Sequence, residues 1–161
     1  MTHAFDQLPD SARIWIYQGS RKLTESQSGY AQDESKKFVG GWQAHGQPLK
    51  ADASVFQDQF LVIGVDEEFS LASGCSIDAS VNLVRNLGQS LEIDFLDRKK
   101  IAFLIDDLVV LYPLTEIRTL VEQGVLKADT LVFNNLVQTV GEWKSSWLIP
   151  MSESWLKRHF N

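Results

Sequence analysis

Apolar and polar positions near the start of the chain alternate as in a β-strand and then recur as in a helix. Residues 12–18 place aromatic side chains on one face and isoleucines on the other, which predicts a strand with both faces covered. Thr24 and Gln27 follow with the spacing of a capping box, and an apolar stripe continues from there. This pattern predicts a helix that runs to about His45, with Gly46 as its left-handed C-cap.

The middle and the end of the chain add further strands and helices. Residues 54–65 predict a long strand whose last six positions are apolar or glycine, as in the middle of a sheet, and residues 77–91 carry a helical stripe. Four smaller elements follow: a hairpin around Asp106-Asp107, a short helix capped by Thr115, a hairpin joining residues 131–133 to 136–140, and a terminal helix capped by Ser152. The whole predicts an α+β fold over residues 1–161, a single compact domain with a mixed or mostly antiparallel sheet packed against about four helices.

The charge balance and the cysteine content exclude several classes of function. There are 15 Lys and Arg against 21 Asp and Glu, a net charge of -6, so we expect no nucleic-acid partner. No apolar run approaches the roughly 20 residues that cross a bilayer and no leader pattern follows Met1, so we expect no membrane partner and a cytoplasmic location. One cysteine and 3 histidines form neither an internal disulfide nor a cysteine-rich zinc site, so we expect no cofactor and no metal.

The segment with the most site-like composition lies where the second long helix is predicted to begin. Ser-Gly-Cys-Ser-Ile-Asp at positions 73–78 follows an apolar strand and contains the only cysteine of the chain. A helix N-terminus presents free backbone N–H groups and the positive end of a dipole, and both attract anions. We therefore expect a small anionic ligand to bind there. The candidate ligand-binding residues are Arg13, His45, Ser73, Gly74, Cys75, Ser76 and Asp78.

Four of these residues have specific expected roles. His45 is predicted to end the first helix on its inward stripe, which would bring its imidazole close to Cys75. Asp78, in the first turn of the second helix, would orient a histidine, and Arg13 would supply a charge for the anion. Because a thiolate is stabilised at a helix N-terminus, an enzyme with Cys75 as nucleophile is a further hypothesis.

Two other interpretations compete with a ligand site. In the first, Cys75 is a packed, small hydrophobic side chain and the neighbouring serines cap the helix. In the second, the protein is a non-catalytic interaction module whose tryptophan-rich C-terminal region docks a protein partner or forms a homodimer. The tryptophans concerned are Trp143, Trp147 and Trp155.

Two apolar runs end in paired acids, as the magnesium-binding strand of a nucleotide hydrolase does. The acids are Asp66-Glu67 and Asp106-Asp107, and a carboxylate metal site built from these turns is an alternative to a metal-free protein. The phosphate-binding loop Gly-x-x-x-x-Gly-Lys-Ser/Thr is absent, because Lys144-Ser145 follows Trp143 instead of a glycine. Without that loop, a P-loop ATPase cannot hold the β- and γ-phosphates.

Several motifs along the chain together resemble a protein family. They are Arg-Ile-Trp-Ile-Tyr-Gln at 13–18, Ala-His-Gly at 44–46, Asp66-Glu67, the 73–78 segment, Val-Phe-Asn-Asn-Leu-Val at 132–137 and Ser154-Trp155. The combination resembles a family of small uncharacterised proteins from Bacteroidota that are often labelled ABC transporter ATPases. The resemblance spans nearly the whole chain. It implies no established activity, and the absent phosphate loop argues against the ATPase label.

The missing phosphate loop generates a prediction about ATP. The purified protein is expected to hydrolyse ATP no faster than a heat-inactivated sample, with or without Mg²⁺, because the chain lacks the loop that cradles the phosphates. Phosphate release in a colorimetric assay checks this. Hydrolysis above background that is lost in Asp66→Ala or Asp106→Ala would overturn the prediction.

Overall fold

The computed structural model describes Phe5 and residues 7–160, and these residues have the predicted α+β architecture. Their strands pair antiparallel throughout. The strands are β1 (Arg13–Gln18), β2 (Gln43–Ala44), β3 (Gln47–Pro48), β4 (Ala51–Phe56), β5 (Phe60–Val65), β6 (Lys100–Ile105), β7 (Leu108–Pro113), β8 (Leu131–Phe133) and β9 (Leu148–Pro150). The α-helices are α1 (Glu25–Gly40), α2 (Gly74–Leu91), α3 (Ile117–Glu122) and α4 (Val140–Ser146), and short 3₁₀ helices span Leu114–Glu116, Met151–Glu153 and Trp155–His159.

Contacts between residues divide the chain into two units. Unit 1 contains the described residues up to Asp97 together with Gln138–Trp143. Unit 2 contains Arg98–Val137 together with the residues from Lys144 onward. The prediction of one domain over residues 1–161 stays a prediction. In the described part of the chain, no helix combines the length and the apolar composition needed to cross a membrane.

The sheet of unit 1 is organised around β5, which is buried along its whole length. This strand lies between β1 and β4 and pairs with both, so its backbone groups are satisfied on two sides. Helices α1 and α2 pack against one face, where their apolar side chains join alternate residues of β5 in one cluster. On the other face, Gly64 leaves room for Phe5 and Leu8, since a Cβ on Gly64 would lie 3.0 Å from carbons of both side chains.

Unit 2 contains a second antiparallel sheet, with the strands in the order β7, β6, β8 and β9. The predicted hairpin around Asp106-Asp107 is confirmed. It joins β6 to β7 through a two-residue turn in which the aspartates have positive φ values of 52° and 62°. Ile101 and Phe103 of β6 pack with Ile117 of α3 among the buried side chains of this unit. Unit 2 therefore has an apolar core of its own.

The first helix ends earlier than its apolar stripe predicts. The capping box of Thr24 and Gln27 is confirmed, but α1 stops at Gly40 instead of near His45. A second glycine follows directly, and each glycine in a helix costs about 1 kcal/mol relative to alanine. The chain then forms a small hairpin from β2 and β3, whose two-residue turn is His45-Gly46 with φ of 51° and 76°. Positive φ at both positions is typical of a type I′ turn, so Gly46 serves this turn and is not a helix C-cap.

Two strand predictions also differ from the structure. Residues 54–65 belong to a hairpin instead of one long strand, because the chain turns at Gln57 and Asp58, both of which have positive φ. The hairpin predicted across Asn134-Asn135 does not form. Instead, β8 pairs with β6 and β9, and the Asn134 N–H donates to the carbonyl of Trp147 at 2.6 Å.

The two short helices predicted in the C-terminal third differ in type and extent from those in the structure. Thr115 lies within a 3₁₀ helix that leads into α3, and Gly124 follows this region with a φ of 74°, as expected of a helix end. The terminal helix expected from Ser152 is replaced by two 3₁₀ helices. The second is capped by Ser154, whose hydroxyl accepts from the Leu156 N–H at 3.0 Å.

Gly88 in α2 tests how closely the chain packs in unit 1. A Cβ on Gly88 would lie 2.6 Å from the carbonyl oxygen of Ile93, which is a backbone atom and cannot rotate away. Gly88→Ala is therefore expected to lower the free energy of unfolding by about 1–3 kcal/mol. The matched control is Gly29→Ala in α1, where a Cβ meets nothing within 4 Å. That change should stabilise by about 0.5–1 kcal/mol. Urea unfolding followed by circular dichroism measures both, and equal effects would contradict the packing.

Candidate functional site

The N-terminus of α2 is closed by a reciprocal pair of serines. Ser73 is the N-cap, and its hydroxyl accepts from the Ser76 N–H at 3.1 Å, while the Ser73 N–H donates to the Ser76 hydroxyl at 2.7 Å. The Ser76 hydroxyl in turn donates to the Ser73 carbonyl at 2.8 Å, and Ser76 is buried. The expected capping role of these serines is confirmed. Their hydroxyls are occupied by the cap.

Two backbone N–H groups remain open at the same helix end. The first residues of a helix have no intrahelical acceptor for their N–H groups. The Ser76 N–H is taken by the cap and the Ile77 N–H donates to the Ser73 carbonyl at 2.9 Å. The N–H groups of Gly74 and Cys75 have no partner in the described part of the chain, and both residues are exposed. These two donors, with the helix dipole behind them, are the features here that can hold an anion.

A buried indole holds the first turn of α2 in place. The Trp42 Nε1–H donates to the carbonyl of Ser76 at 2.8 Å, and Trp42 itself is buried. Its ring packs against Trp15 of β1 and Phe38 of α1, with centroids 6.4 Å and 5.3 Å away. The segment after α1 is therefore fixed to the start of α2 by a hydrogen bond inside an aromatic cluster.

Arg13 is connected to the start of α2 through the side chain of Glu67. Its guanidinium lies 3.6 Å from the carboxylate of Glu67 and 4.7 Å from the centre of the Trp15 ring. The other oxygen of Glu67 accepts from the Ala72 N–H at 3.3 Å, on the segment that leads into α2. Glu67 thus connects Arg13 to the segment that precedes α2 and balances the positive charge of the guanidinium.

His45 and Asp78 do not take their expected positions. His45 is exposed at the tip of the β2–β3 hairpin, so the prediction that it ends a helix and points inward is wrong. No hydrogen bond joins His45 to Cys75 among the described residues, and their sharing of a site stays a prediction. Asp78 is exposed and is the fifth residue of α2, so it lies just beyond the first turn in which it was expected.

The thiol of Cys75 is free and exposed. The interpretation of Cys75 as a packed small hydrophobic side chain is therefore wrong. The buried face of α2 carries Ser76, Ser80, Val84 and Leu87. Cys75 lies outside this face and points away from the core.

The two acidic turns have structural roles in their own units. Asp66 is buried, and its carboxylate accepts from the Glu68 N–H at 3.0 Å, which closes the turn after β5. Asp106 and Asp107 form the exposed turn between β6 and β7. Among the described residues, no three His, Cys, Asp or Glu side chains are grouped so that they could hold a metal ion.

The three C-terminal tryptophans do not all face solvent. Trp143 packs edge-to-face against Phe5 and at a tilt against Phe56, with centroids 5.5 Å and 4.9 Å away. Trp147 is buried, and its Nε1–H donates to the Asn135 side chain at 2.9 Å. Trp155 is 38% exposed. Of the three, Trp155 is the one exposed to solvent, and the docking of a partner by this region stays a prediction.

A cleft at the other end of α2 was not expected from the sequence. It has a volume of about 440 Å³ and is lined by the last turns of the helix, by residues 93–96 and by Ser20. Gly88, which interrupts the helical stripe, is the one signal that could have indicated it. Two polar side chains of this cleft accept hydrogen bonds from backbone N–H groups of the cleft itself: the Ser20 hydroxyl accepts from the Asp94 N–H at 2.9 Å and the Asp94 carboxylate accepts from the Leu96 N–H at 2.8 Å.

Comparisons of the chain with protein-family models, with curated proteins and with solved structures find no match. The resemblance to the Bacteroidota family stays a prediction.

The exposure of Cys75 generates a prediction about its reactivity. Iodoacetamide is expected to label the thiol in the native protein, because the side chain is in contact with solvent without any unfolding. Mass spectrometry of native and urea-unfolded samples compares the two rates. Cys75→Ser removes all labelling, as the chain has no other cysteine, and should change the free energy of unfolding by no more than about 0.5 kcal/mol. Labelling that occurs only after unfolding would contradict the exposed position.

Proposed function

We propose that this protein binds a small anionic ligand at the N-terminus of α2. The observation that carries the proposal is the pair of exposed N–H groups on Gly74 and Cys75, which have no acceptor among the described residues. Each can donate a hydrogen bond to an anionic oxygen, and the 18-residue helix behind them adds a positive partial charge.

The fixed position of these donors supports the proposal. The Ser73–Ser76 capping box sets the direction of the first turn, and the Trp42 indole holds it from the side. Donors that are already ordered lose little freedom when a ligand arrives, so more of the interaction energy appears as affinity.

Arg13 has a secondary place in this proposal. Its guanidinium is engaged by Glu67, so an incoming anion would have to compete with that carboxylate for the positive charge. The affinity is therefore expected to depend first on the two N–H groups. Removing the negative charge of Glu67 should strengthen anion binding, because Arg13 is then released and the local potential becomes more positive.

An enzyme that uses Cys75 as nucleophile is the second candidate. The observation that favours it is the exposed thiol beside two open N–H donors, an arrangement that stabilises an oxyanion in acyl transfer. Among the described residues no hydrogen bond joins a histidine to Cys75, so the general base of this candidate mechanism is not identified.

Gly74→Pro tests the anion site directly. Proline is tolerated at the first position of a helix, where it removes an N–H that has no helical partner, and Ser73 already has an extended backbone with ψ of 166°. Inorganic phosphate, titrated into ¹⁵N-labelled protein, is expected to shift the amide signals of Gly74 and Cys75 with a Kd on the order of 1–10 mM. Gly74→Pro should raise that Kd about tenfold, the loss of one hydrogen bond to a charged group.

The matched control is Gly74→Ala, which keeps the N–H and adds a Cβ that meets nothing within 4 Å. Its Kd should equal that of the unmodified protein, while Glu67→Gln, which keeps an acceptor for the Ala72 N–H, should lower the Kd. The proposal is wrong if phosphate moves neither amide signal, or if the proline and alanine variants bind phosphate equally.

A further inference from the structure

The outer edge of β7 carries backbone groups that no described strand uses. In a hairpin with a two-residue turn, the two residues that flank the turn form a hydrogen-bonded pair. Hydrogen-bonded and non-hydrogen-bonded pairs then alternate along the strands. Leu108, Val110 and Tyr112 therefore bond to β6. The N–H and C=O groups of Val109 and Leu111 point the other way, towards the open side of the strand.

On both edge strands of the unit 1 sheet, some outward N–H groups already donate to other groups of the same chain. On β4, the Val55 N–H donates to the side-chain oxygen of Gln32 at 3.2 Å, and the Ala53 N–H donates to the Asp52 carboxylate at 2.8 Å. On β1, the Ile14 N–H donates to the carbonyl of Gln138 at 3.0 Å. Closing donors in this way prevents another strand from pairing there.

β7 lacks the features that usually protect an edge. From Leu108 to Tyr112 it has no charged residue, no glycine and no proline, and Leu108 is 60% exposed. An uncharged edge of this length accepts a further strand readily.

We propose that β7 pairs antiparallel with β7 of a second copy of this chain, about a two-fold axis at Val110. In that register Val109 of one copy lies opposite Leu111 of the other, and the reverse. Because both residues present their N–H and C=O groups outward, each of the two pairs exchanges two hydrogen bonds. The edge is self-complementary, as a two-fold interface has to be.

The charges at the two ends of β7 select a second copy over an unrelated strand. The turn at one end carries Asp106 and Asp107, and the strand paired with the other end begins after Arg98 and Lys99 with Lys100 opposite Pro113. The two-fold axis places Asp107 of one copy beside Pro113 of the other, so the acidic turn lies two strands, about 10 Å, from the basic segment. Antiparallel pairing thus places charges of opposite sign about 10 Å apart at both ends of the interface, an arrangement that favours pairing at low salt.

A cysteine at the axis tests both the interface and its register. In a Cys75→Ser background, Val110→Cys would place two thiols on directly opposite residues, with Cα atoms about 4.5 Å apart, inside the range of about 4.4–6.8 Å that a disulfide requires. The matched control Leu108→Cys would place its two copies about 14 Å apart along the strands. Mild oxidation is expected to cross-link the first variant and not the second on a non-reducing gel.

Sedimentation velocity across a concentration series measures the assembly without any cross-link. The full chain is expected to form a dimer, and Val109→Pro is expected to raise the dimer dissociation constant at least tenfold, because it removes an outward N–H and leaves the bonds to β6 intact. Val109→Ala, which keeps the N–H, should dimerise as before. Circular dichroism verifies that the proline variant is folded. Asp106→Asn with Asp107→Asn, which keeps the positive-φ turn, should weaken the dimer and make it less sensitive to salt.

The outcomes separate cleanly. A chain that stays monomeric, or a dimer that is indifferent to Val109→Pro, would overturn the proposal. Cross-linking at position 108 as efficient as at position 110 would also overturn it, since that result indicates random collision or another register. None of these results bears on phosphate binding at α2, which lies in unit 1.

Discussion

The backbone of β5 has to find all its hydrogen bonds inside the protein, and most of unit 1 follows from that constraint. Every residue from Phe60 to Val65 is buried, so strands are needed on both edges, and β1 and β4 provide them. The two faces have to be covered as well. Helices α1 and α2 cover one face, and the residue without a side chain, Gly64, lets Phe5 and Leu8 come close on the other.

The position of α1 answers two requirements at once. Its buried residues, Ala31, Ser35 and Val39, are small or medium in size and bring the helix close to the sheet. That closeness puts Gln32 within reach of the edge of β4, where its side-chain oxygen accepts from a backbone N–H and from the Ser54 hydroxyl. Packing and edge protection are therefore coupled in unit 1. In unit 2, none of the described side chains accepts a hydrogen bond from the outward N–H groups of β7. The two sheets therefore differ in whether a neighbouring side chain protects the edge strand.

Elements with strong local signals could be predicted from the sequence, and elements decided by distant contacts could not. The alternation of β1, the apolar run of β5, the Asp106-Asp107 hairpin and the Thr24–Gln27 capping box are local, and each is found where expected. The end of α1 is different. Trp42 continues the helical stripe in sequence, yet its indole bonds to the carbonyl of Ser76, 34 residues further on. That bond and the glycine pair favour a turn, and His45 moves from a helix end to a hairpin tip.

The exposure of the candidate site is itself a result of helix packing. Successive residues of a helix point about 100° apart, so the burial of Ser76, Ser80, Val84 and Leu87 fixes the direction of every other side chain in α2. Two of these buried residues are serines. Because the prediction of a buried helix face relies on apolar positions, this face could not be identified from the sequence. Once that face is known, Cys75 and Asp78 must project towards solvent. The open N–H groups of Gly74 and Cys75 follow from the same geometry, because the first turn can be closed from inside by Ser73 and Ser76 while its outer side faces water.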